Sequence, residues 1–122
     1  MNLVNHRRLM YWLAALVFGI FLLLMFVPVE YIPVDTRSDK LLHALLFVLI
    51  TLVAKPVLKC PLWMLVIGLT LFAVLSEVAQ HFIPYRSGSL DDFYADLTGI
   101  TLACALLGGW SLVTKLYWRF KR

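Results

Sequence analysis

Apolar residues run in long blocks, and the charged residues gather at the ends of those blocks. Stretches free of Asp, Glu, Lys and Arg cover Leu9–Val29, Leu41–Ala54, Cys60–Ser76 and Leu97–Thr114. An α-helix rises about 1.5 Å per residue, so roughly 20 residues cross about 30 Å of hydrocarbon. The first stretch suffices unaided. The second has 14 residues, and it crosses only if Asp39, Lys40 and Lys55 stand at the interfaces with their side chains snorkelling to water. The pattern therefore predicts an all-α, four-transmembrane-helix bundle: one domain over residues 1–122, with helices over about 9–28, 39–55, 61–82 and 90–118.

Local signals place the helix ends. Helix one ends near Pro28, and the VPVEYIPVDTRSD segment, with two prolines and no helical period, reads as an ordered loop. Ser38 or Asp39 is placed to N-cap helix two, Pro56 to close it, and Pro61 to open helix three at its first position. Helix three is expected to stop before Pro84. After the YRSGSL turn, Ser89 and Asp92 form a Ser-x-x-Asp pattern close to a capping box, so helix four begins before its apolar portion does. Along helix four, Asp92, Asp96, Gly99 and Ala103 share one face about 60° wide. Small residues at that spacing let neighbouring backbones approach, which marks Gly99 and Ala103 as a helix contact.

Composition agrees with the pattern. With 62% apolar and 15% charged residues, the chain lies outside the usual soluble mixture. His6, Arg7 and Arg8 before the first apolar run mimic a signal peptide, but the run is too long and no small-x-small cleavage site follows it. It reads as a retained signal anchor. Cys60 and Cys104 fall at different depths, so no disulfide is expected between them.

Charge sets the orientation. The termini and the loop between helices two and three hold Arg7, Arg8, Lys55, Lys59, Lys115, Arg119, Lys121 and Arg122, against Arg37, Lys40 and Arg86 in the other two loops. The positive-inside rule then puts both termini in the cytoplasm. All the acids, Glu30, Asp35, Asp39, Glu77, Asp91, Asp92 and Asp96, lie in or beside the outer loops. The basic inner tail suits anionic lipid headgroups rather than nucleic acid, which is not expected as a partner.

A polar cluster follows from this topology. Glu77 stands about 8 Å below the outer end of helix three, one turn before Gln80. A carboxylate at a helix C-terminus in apolar surroundings needs a cation or a donor beside it. Arg86 in the next loop and Lys40 and His43 at the mouth of helix two are the candidates, and Asp39 is one turn from His43. A compact bundle brings Asp39, Lys40, His43, Glu77, Gln80, Arg86, Asp92 and Asp96 together as a ligand-binding set in the outer leaflet, drawn from helices two, three and four with helix one as anchor. Glu77, Asp92 and His43 are the candidates for any acid–base role. No His-x-x-x-His or Cys-x-x-Cys spacing occurs and Arg86 opposes a cation, so no metal and no cofactor is expected. No serine sits in an elbow or triad pattern.

The segment EVAQHFIPYRSGSLDDFYADLTG, with DKLLHALLF upstream, resembles the VanZ-like family of small bacterial membrane proteins, named for a member linked to teicoplanin resistance. The likeness covers roughly residues 37–110. Glu77, Gln80, Arg86, Asp92 and Gly99 fall on the family pattern, and Asp39, Lys40 and His43 on its second-helix motif. Asp96 departs from it, since the family more often has Asn there, and the change adds a negative charge. The resemblance implies a multi-pass protein of the bacterial cytoplasmic membrane with an outward-facing polar site.

Two functions suit these residues. The first is binding or processing of an amphiphilic cell-envelope component, lipid-linked or phosphate-bearing, with Arg86 and Lys40 on its anion. The second is a non-enzymatic accessory subunit whose polar cluster only locks the bundle while its helices or inner tail dock a partner membrane protein. A proton-coupled transporter is a third, weakened by the lack of any relay below Glu77.

Overall fold

The computed structural model describes residues 2–26, 36–83 and 90–122. They form four helices: α1 (Leu3–Phe26), α2 (Thr36–Leu58), α3 (Leu62–His81) and α4 (Leu90–Lys121). Of the loop expected over residues 27–39, residues 27–35 lie outside the described residues, as do Ser89 and Arg86, and residues 36–39 are not loop but the first turn of α2. Each helix is long and apolar enough to cross a membrane.

The boundaries differ from the sequence reading in physically plain ways. α1 begins at Leu3 rather than near residue 9, because nothing in the polar start of the chain breaks a helix. α2 opens at Thr36, which puts Ser38 and Asp39 inside its first turn rather than at its N-cap. Pro56 does not close α2: the ring lies in the last turn, where it removes only the final ladder bonds, and the helix runs on to Leu58. Lys59 ends it instead, with φ 52° and its N–H donating to the Lys55 carbonyl at 3.1 Å. That is the left-handed cap usually built by glycine. The Lys55 ammonium reinforces it by donating to the Cys60 carbonyl at 2.6 Å. Pro61 then serves as the N-cap of α3, one place earlier than the first helical position.

A non-glycine residue in this conformation is strained by about 1 kcal/mol, partly offset on replacement by the greater freedom of glycine in the unfolded chain. Lys59→Gly is therefore expected to raise stability by about 0.5 kcal/mol. Unfolding in mixed micelles checks it, and a loss of stability would contradict the capping role.

α2 is the central helix. It packs most extensively on α4 and also contacts α1 and α3. Its buried stripe of His43, Phe47, Ile50 and Thr51 meets Asp96, Gly99, Ile100 and Ala103 of α4, and Leu65, Leu69, Ala73, Ser76 and Gln80 line the inner face of α3. Phe21 of α1 stands edge-on to Phe47 with centroids 5.8 Å apart, and Phe72 lies 5.2 Å from Phe21. Buried hydroxyls return their protons to their own helix: Thr51 donates to the Phe47 carbonyl at 2.6 Å and Ser76 to the Ala73 carbonyl at 2.8 Å. No polar hydrogen is thereby presented to the apolar core.

Large apolar side chains cover the outside. Trp63, Leu75 and Leu106 are each more than 60% exposed, a surface too continuous for water and suited to lipid tails. The protein is accordingly a multi-pass membrane protein by the length and composition of its helices. Neighbouring helices run antiparallel, so α2 and α4 are parallel. The starts of α2 and α4 and the end of α3 share one acidic end, while His6 and Arg7 of α1 meet Lys59 at a basic end.

Candidate functional site

The acidic end is assembled by one close approach. A Cβ on Gly99 would overlap the Ala44 carbonyl oxygen and would stand 3.0 Å from the Phe47 Cβ. Only hydrogen fits there, so the missing side chain lets α4 rest on the backbone of α2. His43 is the residue before Ala44 and Asp96 lies three residues before Gly99. Contact of the two backbones therefore puts these side chains face to face.

His43 Nδ1 and Asp96 Oδ1 are 2.9 Å apart. His43 is 9% exposed and Asp96 not at all. An ionised Asp96 holds the imidazole proton on Nδ1 and leaves the Nε2 lone pair available. The expected partner of His43, Asp39 one turn earlier, is displaced by this interhelical one. Asp96 is also in hydrogen-bonding reach of the Glu77 carboxyl, a contact between two acids that needs one proton shared between them.

Further groups surround the pair. The carboxylate of Glu77, from α3, lies with His43 and Asp96 in a set whose polar atoms are within 4.8 Å of one another, and Asp39, His43 and Asp92 form a second such set. Both sets share the His43 imidazole. Asp39 sits in the first turn of α2 and Asp91 and Asp92 in that of α4, where the positive ends of two parallel helix dipoles favour them. Glu77, one turn from the C-terminus of α3, meets the opposite end of a dipole. Lys40 donates to Asp91 at 3.2 Å, so its charge is directed at the mouth of α4 rather than at Glu77. This ion pair is largely exposed and adds at most about 1 kcal/mol.

Gln80 is buried beside Asp39 and His43 around a void of about 20 Å³, room for roughly one water. Phe21, Leu24 and Met25 of α1 complete its wall. α1 is thus part of the site's enclosure as well as an anchor.

Next to the pair, α3 and α4 diverge into a cleft of about 440 Å³ lined by Val74, Val78, His81, Phe82, Leu90 and Phe93, with Glu77 as its carboxylate. Glu77 therefore belongs both to the buried cluster and to the cleft. The apolar lining was hidden in the sequence, since Val78, Phe82 and Phe93 read there as ordinary span residues. Only bringing the end of α3 beside the start of α4 reveals a cavity.

The site thus joins Asp39, His43, Glu77, Gln80, Asp92 and Asp96, with Lys40 at its rim through Asp91. No protein-family model, curated protein or solved structure matches the chain.

Proposed function

We propose that the protein binds an amphiphilic component of the bacterial cell envelope at the outer face of the cytoplasmic membrane, with both of its own termini in the cytoplasm. The observation that carries this reading is the α3–α4 cleft, mostly apolar in its lining, with Glu77 and His81 as its polar side chains. An acyl or polyprenyl chain gains about 25 cal/mol per Å² against Val74, Val78, Phe82 and Phe93 only to the extent that it packs better there than in lipid, so the polar end supplies the selectivity. Glu77 accepts hydrogen bonds and repels a bare phosphate. It therefore selects a headgroup that presents hydroxyl, amide or amine donors, with a lipid-linked phosphate left to Arg86 in the adjoining loop.

The likeness of residues 37–110 to the VanZ-like family supports an envelope ligand. The distribution of charge supports the outward orientation: basic residues at one end of the bundle, acids at the other. Glu77, with its carboxylate shared between cleft and cluster, is the residue placed to act as base or as orienter should the ligand be processed.

Val78 is 49% exposed on the cleft wall, so Val78→Trp fills the cavity without disturbing the helix core. Native mass spectrometry of the purified protein is expected to show a co-purifying envelope lipid that Val78→Trp and Arg86→Ala lose at unchanged thermal stability. Equal lipid occupancy in the wild-type protein and in Val78→Trp would overturn the proposal.

The accessory-subunit reading has one observation in its favour, the buried His43–Asp96 bond that ties α2 to α4. It expects the same substitutions to change only stability, and a second membrane protein to co-purify in fixed ratio.

A further inference from the structure

We infer that the pocket between the start of α1 and the α2–α3 turn binds the phosphate headgroup of one anionic phospholipid. It lies at the opposite end of the bundle from the cleft, and its occupancy does not depend on what fills the cleft. His6 and Arg7 line it from α1 and Lys59 from the turn, around a cavity of about 240 Å³. Pockets that enclose a whole drug-sized ligand run to roughly 300–1,000 Å³. This smaller one suits a headgroup whose tails stay in the bilayer.

The walls divide as a phospholipid does. His6, Arg7, Met10 and Tyr11 stand three and four residues apart, so they share one face of α1. The two basic residues are a turn nearer the helix start than the other two, and Val57 adds an apolar wall from α2. α1 has 24 residues, about 36 Å against about 30 Å of hydrocarbon, so its first turns reach the headgroups. A phosphate among the cations leaves the glycerol and first acyl carbons against Met10 and Val57. Tyr11 is an amphipathic ring suited to that level. With the termini in the cytoplasm, the lipid belongs to the inner leaflet.

The basic groups have no counterion within the bundle. Residues 1–29, 40–76 and 97–122 contain no Asp or Glu, and the basic end is built from these segments. Lys55 is engaged by the Cys60 carbonyl, whereas no acid among the described residues pairs with His6, Arg7 or Lys59. A basic pocket between helices at the cytoplasmic face is the arrangement that lipid phosphates fit. The start of α1 adds the positive end of its dipole. The opposing end of α2 is covered, since the Lys59 N–H and the Lys55 ammonium both donate to carbonyls there.

Lys59 supplies a separate indication. It holds φ 52°, where glycine is less strained, yet it brings a cation to the pocket wall. Strain kept at one residue points to a role for its side chain. The general attraction of the basic tail to headgroups is a different effect, because Lys115, Arg119 and Lys121 of α4 do not line this pocket.

The test is lipid binding to the full chain, delipidated in detergent and titrated with phosphatidylglycerol or, separately, phosphatidylcholine, with occupancy read by native mass spectrometry. The anionic lipid is expected to bind about tenfold more tightly or better. Arg7→Gln and Lys59→Gly should each weaken it about fivefold, the effect of one cation near a lipid phosphate. Lys59→Gly should do so while its thermal midpoint holds or rises, which separates binding from stability. Arg119→Gln should bind as the wild-type chain does, and so should Val78→Trp, whose cleft is filled. Equal affinity for the two lipids, or unchanged affinity in both Arg7→Gln and Lys59→Gly, would overturn the inference. So would a loss in Arg119→Gln as large as in Lys59→Gly, which marks diffuse attraction to a basic surface. Inorganic phosphate binding as tightly as phosphatidylglycerol would overturn it too, by making a free anion the ligand.

Discussion

Gly99→Val is expected to be among the most destabilising single substitutions in this protein, by about 3 kcal/mol, the upper end for overpacking a tight contact. The added Cβ meets the Ala44 carbonyl, which is backbone and cannot rotate aside, so α2 and α4 must separate along their most extensive interface. Separation also draws His43 away from Asp96, because both are anchored within one turn of the contact. Gly68 and Gly108 face open space, where an added Cβ would meet nothing within 4 Å, and valine at either is expected to change stability by less than about 0.5 kcal/mol. Unfolding of the three variants in mixed micelles provides the comparison. A Gly99→Val protein as stable as Gly108→Val would refute the close packing of α2 on α4.

Removing Asp96 by Asp96→Ala is expected to cost about 2 kcal/mol. Part is the lost hydrogen bond, which in membranes averages well below 2 kcal/mol because the unfolded helices also find partners in the bilayer. The remainder is the desolvated His43 ring left without its acceptor. The double variant with His43→Ala should lose less than the sum of the single losses, by about 1 kcal/mol or more, since neither side chain is then buried alone. Strict additivity would show that the 2.9 Å contact contributes nothing to holding the helices together.

The sequence carried the helices more fully than the site. Four helices follow from the charge-free stretches because membrane crossing is a one-dimensional requirement, satisfied segment by segment. Gly99 and Ala103 were legible as a contact face because both lie on one stripe of one helix. The ends were less so: Pro56 looks like a terminator until its position in a last turn is known, and Lys59 carries no mark of a left-handed cap. Membership of the cluster was legible for Asp39, His43, Glu77, Gln80, Asp92 and Asp96, since each is a polar residue beside an apolar run. Their pairing was not. Periodicity places Asp39 near His43 on the same helix, but it contains no information on how far α4 slides along α2, and that register gives His43 to Asp96 and Lys40 to Asp91. Nor could the sequence show α1 closing the void beside Gln80, because Phe21, Leu24 and Met25 differ in no way from lipid-facing residues.

The unequal lengths of α3 and α4 bear on how the protein sits in bilayers of different thickness. α3 has 20 residues and α4 has 32, so at about 1.5 Å per residue they span roughly 30 and 48 Å. They are joined at the acidic end, which leaves the whole excess of about 18 Å projecting from the basic end. There Lys121 lies over the rings of Tyr117 and Trp118, at 5.5 and 5.6 Å from their centroids. A thicker membrane can swallow part of this aromatic, cationic rod and a thinner one can release it, with its amphipathic side chains tolerating either depth. Mismatch is thus absorbed at one pole of the bundle, and the cluster at the other keeps its level in the opposite leaflet.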